Sequence, residues 1–175
     1  MDRNYPSILF KFLISQKKNQ NPKGDREKKM CENKLYVKKL SEYAVLPQKA
    51  HPGDAGYDLS SARSLVVPAY GKALVPTDLS MTVPFGTYGR IAPRSGISWK
   101  NHLNIGCGVI DSIFTGPVGI VIFNHSDTEF KIEVGDRVAQ LIIEVIKNPD
   151  IVQVDDLSNT DRGIGGFGST GTKKF

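Results

Sequence analysis

Four clusters of polar and glycine residues interrupt a sequence otherwise suited to strands, and each suggests a chemistry. Arg94-Ser95-Gly96 follows the strand-like run Tyr88 to Ala92 and a proline that fixes the entry. A guanidinium fork, a hydroxyl and a permissive backbone N–H are together what a set of anionic oxygens needs. A turn carrying a surface arginine is the plainer alternative. The second cluster, Gly106-Cys107-Gly108-Val109-Ile110-Asp111, is a glycine-flanked apolar approach to one carboxylate. Glycines let a backbone come close to a ligand, and a carboxylate beside such a backbone can orient and deprotonate a water. An aspartate that merely serves its turn competes with that reading.

The third cluster is Arg162-Gly163-Ile164-Gly165-Gly166-Phe167-Gly168-Ser169-Thr170-Gly171. Gly163 to Gly168 fits GxGxxG in form, but a dinucleotide site needs a strand before it and a helix and strand after it, and only seven residues follow Gly168. No lysine follows Gly168 either, so it is not a P-loop. What remains is an arm with many exposed N–H groups, suited to wrapping phosphates, and a lone aromatic suited to stacking on a base. A Gly-rich linker has similar composition, though it has no need of Arg162 or Phe167. The fourth cluster pairs His51 to Leu59 with Gly135 to Leu141; Asp58 and Gln140 are each polar at an otherwise apolar strand start. A phosphate-binding set, a stacking aromatic and one carboxylate, without a Ser-His or Cys-His pair or a metal-ligand cluster, fit hydrolysis of a nucleoside polyphosphate with divalent metal arriving on the phosphates.

The elements that must position these groups are strands. From Lys34 onward, short alternating apolar runs are cut by turn residues every 8 to 12 positions, the pattern of an all-β sandwich or barrel. Val118, Ile120 and Ile122 alternate with Gly119 and Val121; Phe130, Ile132 and Val134 alternate with Lys131 and Glu133; Val138 to Ile146 reads as a buried strand. Leu65 to Val67, Ala73 to Val75 and Met81 to Val83 read as three further short strands, the last two separated at Pro76. The Gly106 to Val118 region reads as a hairpin with Asp111 near the bend, and Gly96 to Lys100 as one short turn of helix.

The 175 residues favour a single domain. Their 39% apolar and 23% charged content is that of a globular chain, and no run approaches the roughly 18 apolar residues of a membrane helix. Cys31 and Cys107 cannot build a disulfide framework, and no CxxC suggests zinc or redox chemistry. The net charge of +5 hints at nucleic-acid binding until it is located: residues 1–30 hold eight of the 23 bases and three of the 18 acids, so the body is neutral and stable nucleic-acid binding is not expected. We divide the chain into a flexible basic extension at 1–33, a β domain at 34–157 and a Gly-rich arm at 158–175. The extension lacks a secretory cleavage pattern. Its basic, partly amphipathic character fits an organelle address, against which Asp25 and Glu27 count; Met30 offers an internal start.

AGYDL at Ala55–Leu59, PRSG at Pro93–Gly96, GVID at Gly108–Asp111, GDRVAQL at Gly135–Leu141 and RGIGGFGSTG at Arg162–Gly171 resemble, in order, the five motifs of the trimeric dUTPases of eukaryotic type. The resemblance covers residues 34–171. It implies a jelly-roll-like distorted β-barrel with a C-terminal arm, a homotrimer with three shared active sites, and Mg2+-dependent conversion of dUTP to dUMP and pyrophosphate. Asp111 would orient the water that attacks the α-phosphorus. Arg94, Ser95 and Gly96 would hold the phosphate chain, with Gln140 near the α-phosphate and Asp58 reaching the metal through water. The backbone from Gly108 through Val109 and Ile110 to Phe114 would read the uracil edge and exclude cytosine and a 5-methyl group. Phe167 and Gly168 would cover the base, while Arg162, Ser169 and Thr170 would close on the β- and γ-phosphates from another subunit. The implied setting is cytoplasm or nucleus, with residues 1–30 addressing any organelle form.

The chain departs from the resemblance in one place. Relatives usually continue GVID with a second acid, a tyrosine and often an arginine, whereas here Ser112, Ile113, Phe114 and Thr115 follow. The ring expected to pack under the sugar therefore lacks a phenol. Two alternatives stand beside dUTP hydrolysis: a catalytically weak trimer that binds nucleotide or protein, and a dCTP deaminase relative, which the hairpin and arm match less well.

Overall fold

Every apolar alternation noted above forms a strand, and the strands divide into two four-stranded antiparallel sheets and one ribbon. The computed structural model describes residues 33–166. In chain order the elements are β1 (Tyr36–Lys39), β2 (Tyr57–Ser60), β3 (Leu65–Val67), β4 (Lys72–Thr82), β5 (Thr87–Ala92), α1 (Ser95–Asn101), β6 (Leu103–Gly106), β7 (Val109–Ile110), β8 (Pro117–Asn124), β9 (Phe130–Ile132) and β10 (Arg137–Val145). Sheet one has the order β1-β4-β8-β6, sheet two the order β2-β10-β5-β7, and β3 pairs with β9. The all-β expectation holds, with α1 the one helix among the described residues. The sheets stay open, so the barrel is approximated by two separate sheets and does not close. No described helix is long and apolar enough to cross a membrane.

Period-two alternation decides which side chains enter the core. Val75, Thr77, Leu79 and Met81 of β4 and Val118, Ile120 and Ile122 of β8 point inward from sheet one; Leu59, Ile91, Ile110, Ala139 and Leu141 do so from sheet two. Asp58 and Gln140, each beside one of these residues, are left on the outward face of sheet two. The buried polar residues are satisfied locally: Asn124 donates to the carbonyls of Val67 and Thr128 and accepts from Ser126 N–H.

Two readings of the sequence need correction. Residues 73–75 and 81–83 do not form separate strands, because β4 runs through Pro76 as one 11-residue strand. Proline is tolerated there because β1 pairs only with Leu79–Thr82, and the register against β8 shifts between Pro76 and Leu79. Asp78 takes the left-handed conformation at that bulge, and Thr77 Oγ1 donates to the Val118 carbonyl at 2.6 Å. The segment after Gly106 is likewise more than a hairpin. β6 and β8 do pair antiparallel, but Cys107, at φ +53°, turns the connection out of sheet one, and β7 joins the edge of sheet two beside β5.

Candidate functional site

The register of sheet two assembles the first group of candidate residues. Gln140 lies opposite Asp58 on one side and opposite Ala92 on the other, so the strand that carries Gln140 sits between the AGYDL segment and the PRSG segment. Two residues past Ala92 the chain enters α1, with Arg94 extended at its N-cap and Ser95 and Gly96 in its first turn. No side chain caps this end, which leaves first-turn N–H groups for a ligand. Asp58, Arg94, Ser95, Gly96 and Gln140 all line one polar cavity of about 510 Å³, together with Lys100.

The interior of that cavity is tightly braced. Arg94 Nε pairs with Asp58 Oδ1 at 2.9 Å, and its Nη1 donates to the carbonyl of Arg137 at 3.0 Å. Arg137 Nη1 in turn donates to Asp58 Oδ2 at 2.9 Å. Gln140 Nε2 donates to the Pro93 carbonyl at 2.9 Å, which ties β10 to the entry of α1. Gly56 has a steric reason to be glycine: a Cβ there would collide with the Gln140 amide oxygen.

A second cavity, of about 500 Å³, is largely apolar and takes Val109, Ile110 and Phe114 from the β7 region, Ile91 from β5, and outward residues of β4 and β8 such as Leu74 and Val121. Gly108 places this wall. Its carbonyl accepts Ile91 N–H at 2.8 Å, and a Cβ on it would lie 2.5 Å from the Ile91 carbonyl oxygen, so only glycine permits the approach. Phe114 folds back over Gly116, where a Cβ would meet the ring at 2.8 Å, and Phe114 N–H donates to the Asp111 carbonyl at 3.0 Å. Asp111 follows β7 with an exposed side chain and lines neither cavity.

The expected residues therefore fall into separate places. Arg94, Ser95, Gly96 and Gln140, assigned to the phosphates, gather in the polar cavity, and Val109, Ile110 and Phe114, assigned to base and sugar, in the apolar one, which Gly108 does not line; the two cavities share no lining residue. Arg162 sits in an exposed turn, where its Nε donates to the Gly165 carbonyl at 2.8 Å, and it lines neither cavity. Phe167, Gly168, Ser169 and Thr170 lie outside the described residues.

The sequence reading missed Arg137 and Lys100. Lys100 could have been found from its place five residues after Ser95 on a short helix. Arg137 was hidden because simple alternation puts it on the opposite face from Gln140. The ladder slips by one residue between Arg137 and Ala139, so Val138 and Ala139 are both buried and Arg137 returns to the face of Asp58.

Away from both cavities, Glu144 accepts from the Tyr88 hydroxyl at 2.5 Å and from Arg90 Nε at 2.7 Å. These two hydrogen bonds hold the Glu144 carboxyl below its ordinary range. The same bond to Glu144 pushes the Tyr88 phenol up. As for metal, no group of three or more His, Cys, Asp or Glu that could cage an ion occurs among the described residues. Each Asp58 oxygen is already paired with a guanidinium, so a cation reaching this cavity would be held mainly by ligand oxygens and would meet Asp58 through water.

The sequence profile of the dUTPase family matches residues 42–171. The deoxyuridine 5'-triphosphate nucleotidohydrolase of Arabidopsis thaliana is 64% identical over 135 residues, which are 77% of this chain and 81% of that protein. The mitochondrial deoxyuridine 5'-triphosphate nucleotidohydrolase of Dictyostelium discoideum is 63% identical over 137 residues, 78% of this chain and 76% of its own. Among solved structures, a point mutant of the dUTPase of Staphylococcus bacteriophage 80alpha with dUpNHpp superimposes with a TM-score of 0.77 at 36% identity, covering 81% of this chain and all of that one. A point mutant of the dUTPase from phage phi11 of S. aureus, whose structure details the coordination of a structural Mg(II) ion, reaches a TM-score of 0.69 at 33% identity over 73% of this chain and all of that one.

Proposed function

The chain belongs to the dUTPase family and hydrolyses dUTP, and from that premise we infer how its residues divide the reaction into dUMP and pyrophosphate. The observation that carries this reading is the gathering of Asp58, Arg94, Ser95, Gly96 and Gln140 in one polar cavity, apart from an apolar cavity walled by Val109, Ile110 and Phe114.

The polar cavity takes the triphosphate. Arg94, Lys100, the Ser95 hydroxyl and the first-turn N–H groups of α1 offset its charge, and Gln140 donates toward the α-phosphate. The apolar cavity takes uracil and deoxyribose, with the backbone after Gly108 reading the base edge and Phe114 lying under the sugar. Asp111 accepts the proton of a water whose oxygen forms the new bond to the α-phosphorus; the bond between that phosphorus and the α,β-bridging oxygen breaks, and pyrophosphate leaves with the electron pair. Positioning and charge stabilisation dominate such transfers. Mg2+ carried by the triphosphate would supply charge neutralisation there, and Asp58 is the residue that would meet it through water. The dUMP formed serves thymidylate synthesis, and removal of dUTP keeps uracil out of DNA.

Because base and phosphate residues of one chain lie in separate cavities, the reading includes a homotrimer in which neighbouring chains complete each site. Arg162, Phe167, Gly168, Ser169 and Thr170 then close it as an arm. Residues 1–30 address an organelle form, in keeping with a relative named mitochondrial, and a chain starting at Met30 stays in cytoplasm or nucleus.

The test is pyrophosphate release from dUTP, dCTP, dTTP and UTP, with and without Mg2+, on protein whose mass in solution has been measured. Release from dUTP alone, dependent on Mg2+, by a trimer is expected. Equal release from dCTP or dTTP would remove the hairpin from base selection, and an active monomer would remove the shared site.

A further inference from the structure

Among the described residues, Arg137 is the one cationic side chain paired with Asp58 that does not itself line the polar cavity. It lies behind Asp58, in a separate hollow of about 290 Å³ with Ser60 and Gln48, and Asp58 and Ala50 form the wall common to both spaces. The one-residue slip in β10 puts it there. The contacts form a closed ring of three groups: Arg137 Nη1 donates to Asp58 Oδ2, Arg94 Nε forms an ion pair with Asp58 Oδ1, and Arg94 Nη1 donates to the Arg137 carbonyl. Arg94 is thereby fixed through two of its three nitrogens, with Nη2 unpartnered among the described residues.

The geometry points to Arg137 as a positioning residue for triphosphate binding, acting through Asp58 on Arg94 without touching the substrate. The inference rests on the polar cavity being the phosphate site. Charge and geometry both require such a residue. Asp58 and Arg94 alone form a neutral pair, and a carboxylate free to rotate would draw the guanidinium toward itself and away from incoming phosphate. A second cation on the far oxygen leaves the trio with one net positive charge and fixes the carboxylate plane, so that Arg94 meets Asp58 edge-on and keeps one amino group for the ligand. A bidentate fork on Asp58 would occupy that group, and the second guanidinium on Oδ2 competes with such a fork.

A double-mutant cycle tests this, with the dissociation constant for dUpNHpp read by calorimetry and with KM and kcat for dUTP read separately. Arg137→Gln is expected to weaken dUpNHpp binding about tenfold in the wild-type background, mainly through KM, a size fitting one charge-assisted contact at a half-exposed side chain. In the Asp58→Asn background the same substitution is expected to change binding by less than about threefold, since the group through which Arg137 acts is gone. Arg137→Lys keeps a cation on Asp58 and is expected to recover most of the loss; it also stands in should Arg137→Gln fail to fold. An equal loss in both backgrounds would make Arg137 a direct phosphate ligand and overturn the proposal, as would Arg137→Lys binding no better than Arg137→Gln, or no loss at all. A wild type that binds no dUpNHpp would overturn the phosphate reading of the cavity and this inference with it.

Discussion

Gly108→Ala is the most exacting single perturbation of the base-side wall. The added Cβ would lie 2.5 Å from the Ile91 carbonyl oxygen, a backbone atom inside β5 that cannot swing aside as a side chain would. Ordinary C···O contacts begin near 3.3 Å, so the two segments must separate by roughly 0.8 Å. That separation is expected to lengthen or break the neighbouring Ile91 N–H to Gly108 carbonyl bond, 2.8 Å long, between the same two residues. Overpacking costs about 1–3 kcal/mol and the lost hydrogen bond about 0.5–1.5, so a total near 2–4 kcal/mol is expected. Conformation does not add to it, because Gly108 is not among the glycines at positive φ. Urea unfolding at matched protein concentration should show this loss, with Gly53→Ala as the control, since a Cβ at Gly53 meets nothing within 4 Å. The displaced Val109, Ile110 and Phe114 should lower kcat/KM for dUTP by on the order of a hundredfold, the effect of a shift near 1 Å in a positioned reactant. Stability within about 0.5 kcal/mol of wild type together with unchanged kcat/KM would refute the claim that this contact sets the wall.

Asp111→Asn should abolish turnover while leaving dUpNHpp binding within an order of magnitude, because the amide keeps the shape and cannot accept the water's proton; near-normal hydrolysis would remove Asp111 from its role. Phe114→Tyr places a hydroxyl on the ring carbon that faces Gly116 and adds at most one hydrogen bond of about 0.5–1.5 kcal/mol, so kcat/KM for dUTP should change by no more than about tenfold, with any gain appearing as better rejection of UTP. Glu144→Gln should lower Tm at neutral pH and lose that deficit in acid. A carboxyl whose folded pKa is depressed stabilises above its unfolded value, near 4.5, and the contribution disappears as pH falls through the lower folded value; a deficit that persists at pH 3 would contradict this.

The strands were legible because alternation at period two is a local property: Val118, Ile120 and Ile122 announce β8 without reference to anything else. Pro76 misled because its tolerance depends on β1 ending at the same level, which is a fact about a neighbour. β7 was missed for a similar reason. Two residues carry no period, and what draws Val109 and Ile110 into sheet two is the exposed edge of β5. The residues of the polar cavity were legible as types, yet their arrangement depends on the pairing of Gln140 with both Asp58 and Ala92, which joins segments far apart in the chain. Arg137 was illegible altogether, since one slipped residue in β10 decides its face.

The placement of the two cavities on this scaffold bears on why such a chain would assemble. Asp58 and Gln140 stand on the outward face of sheet two, while the apolar cavity lies where Leu74 and Val121 on the outward face of sheet one meet Ile91, Val109, Ile110 and Phe114 from β5, β7 and the turn after it. A nucleotide has one base and one phosphate chain joined by a sugar. With those two ends assigned to cavities that share no lining residue, a shared site of the proposed kind would have the nucleotide bridge the apolar cavity of one chain and the polar cavity of the next. Separating the halves of the site has a physical advantage in that arrangement. The polar cluster, two guanidiniums on one carboxylate, would keep its water until a second chain brings the apolar wall, so its surplus positive charge need not be buried before phosphates arrive, a cost that a single-chain cleft combining both surfaces would carry.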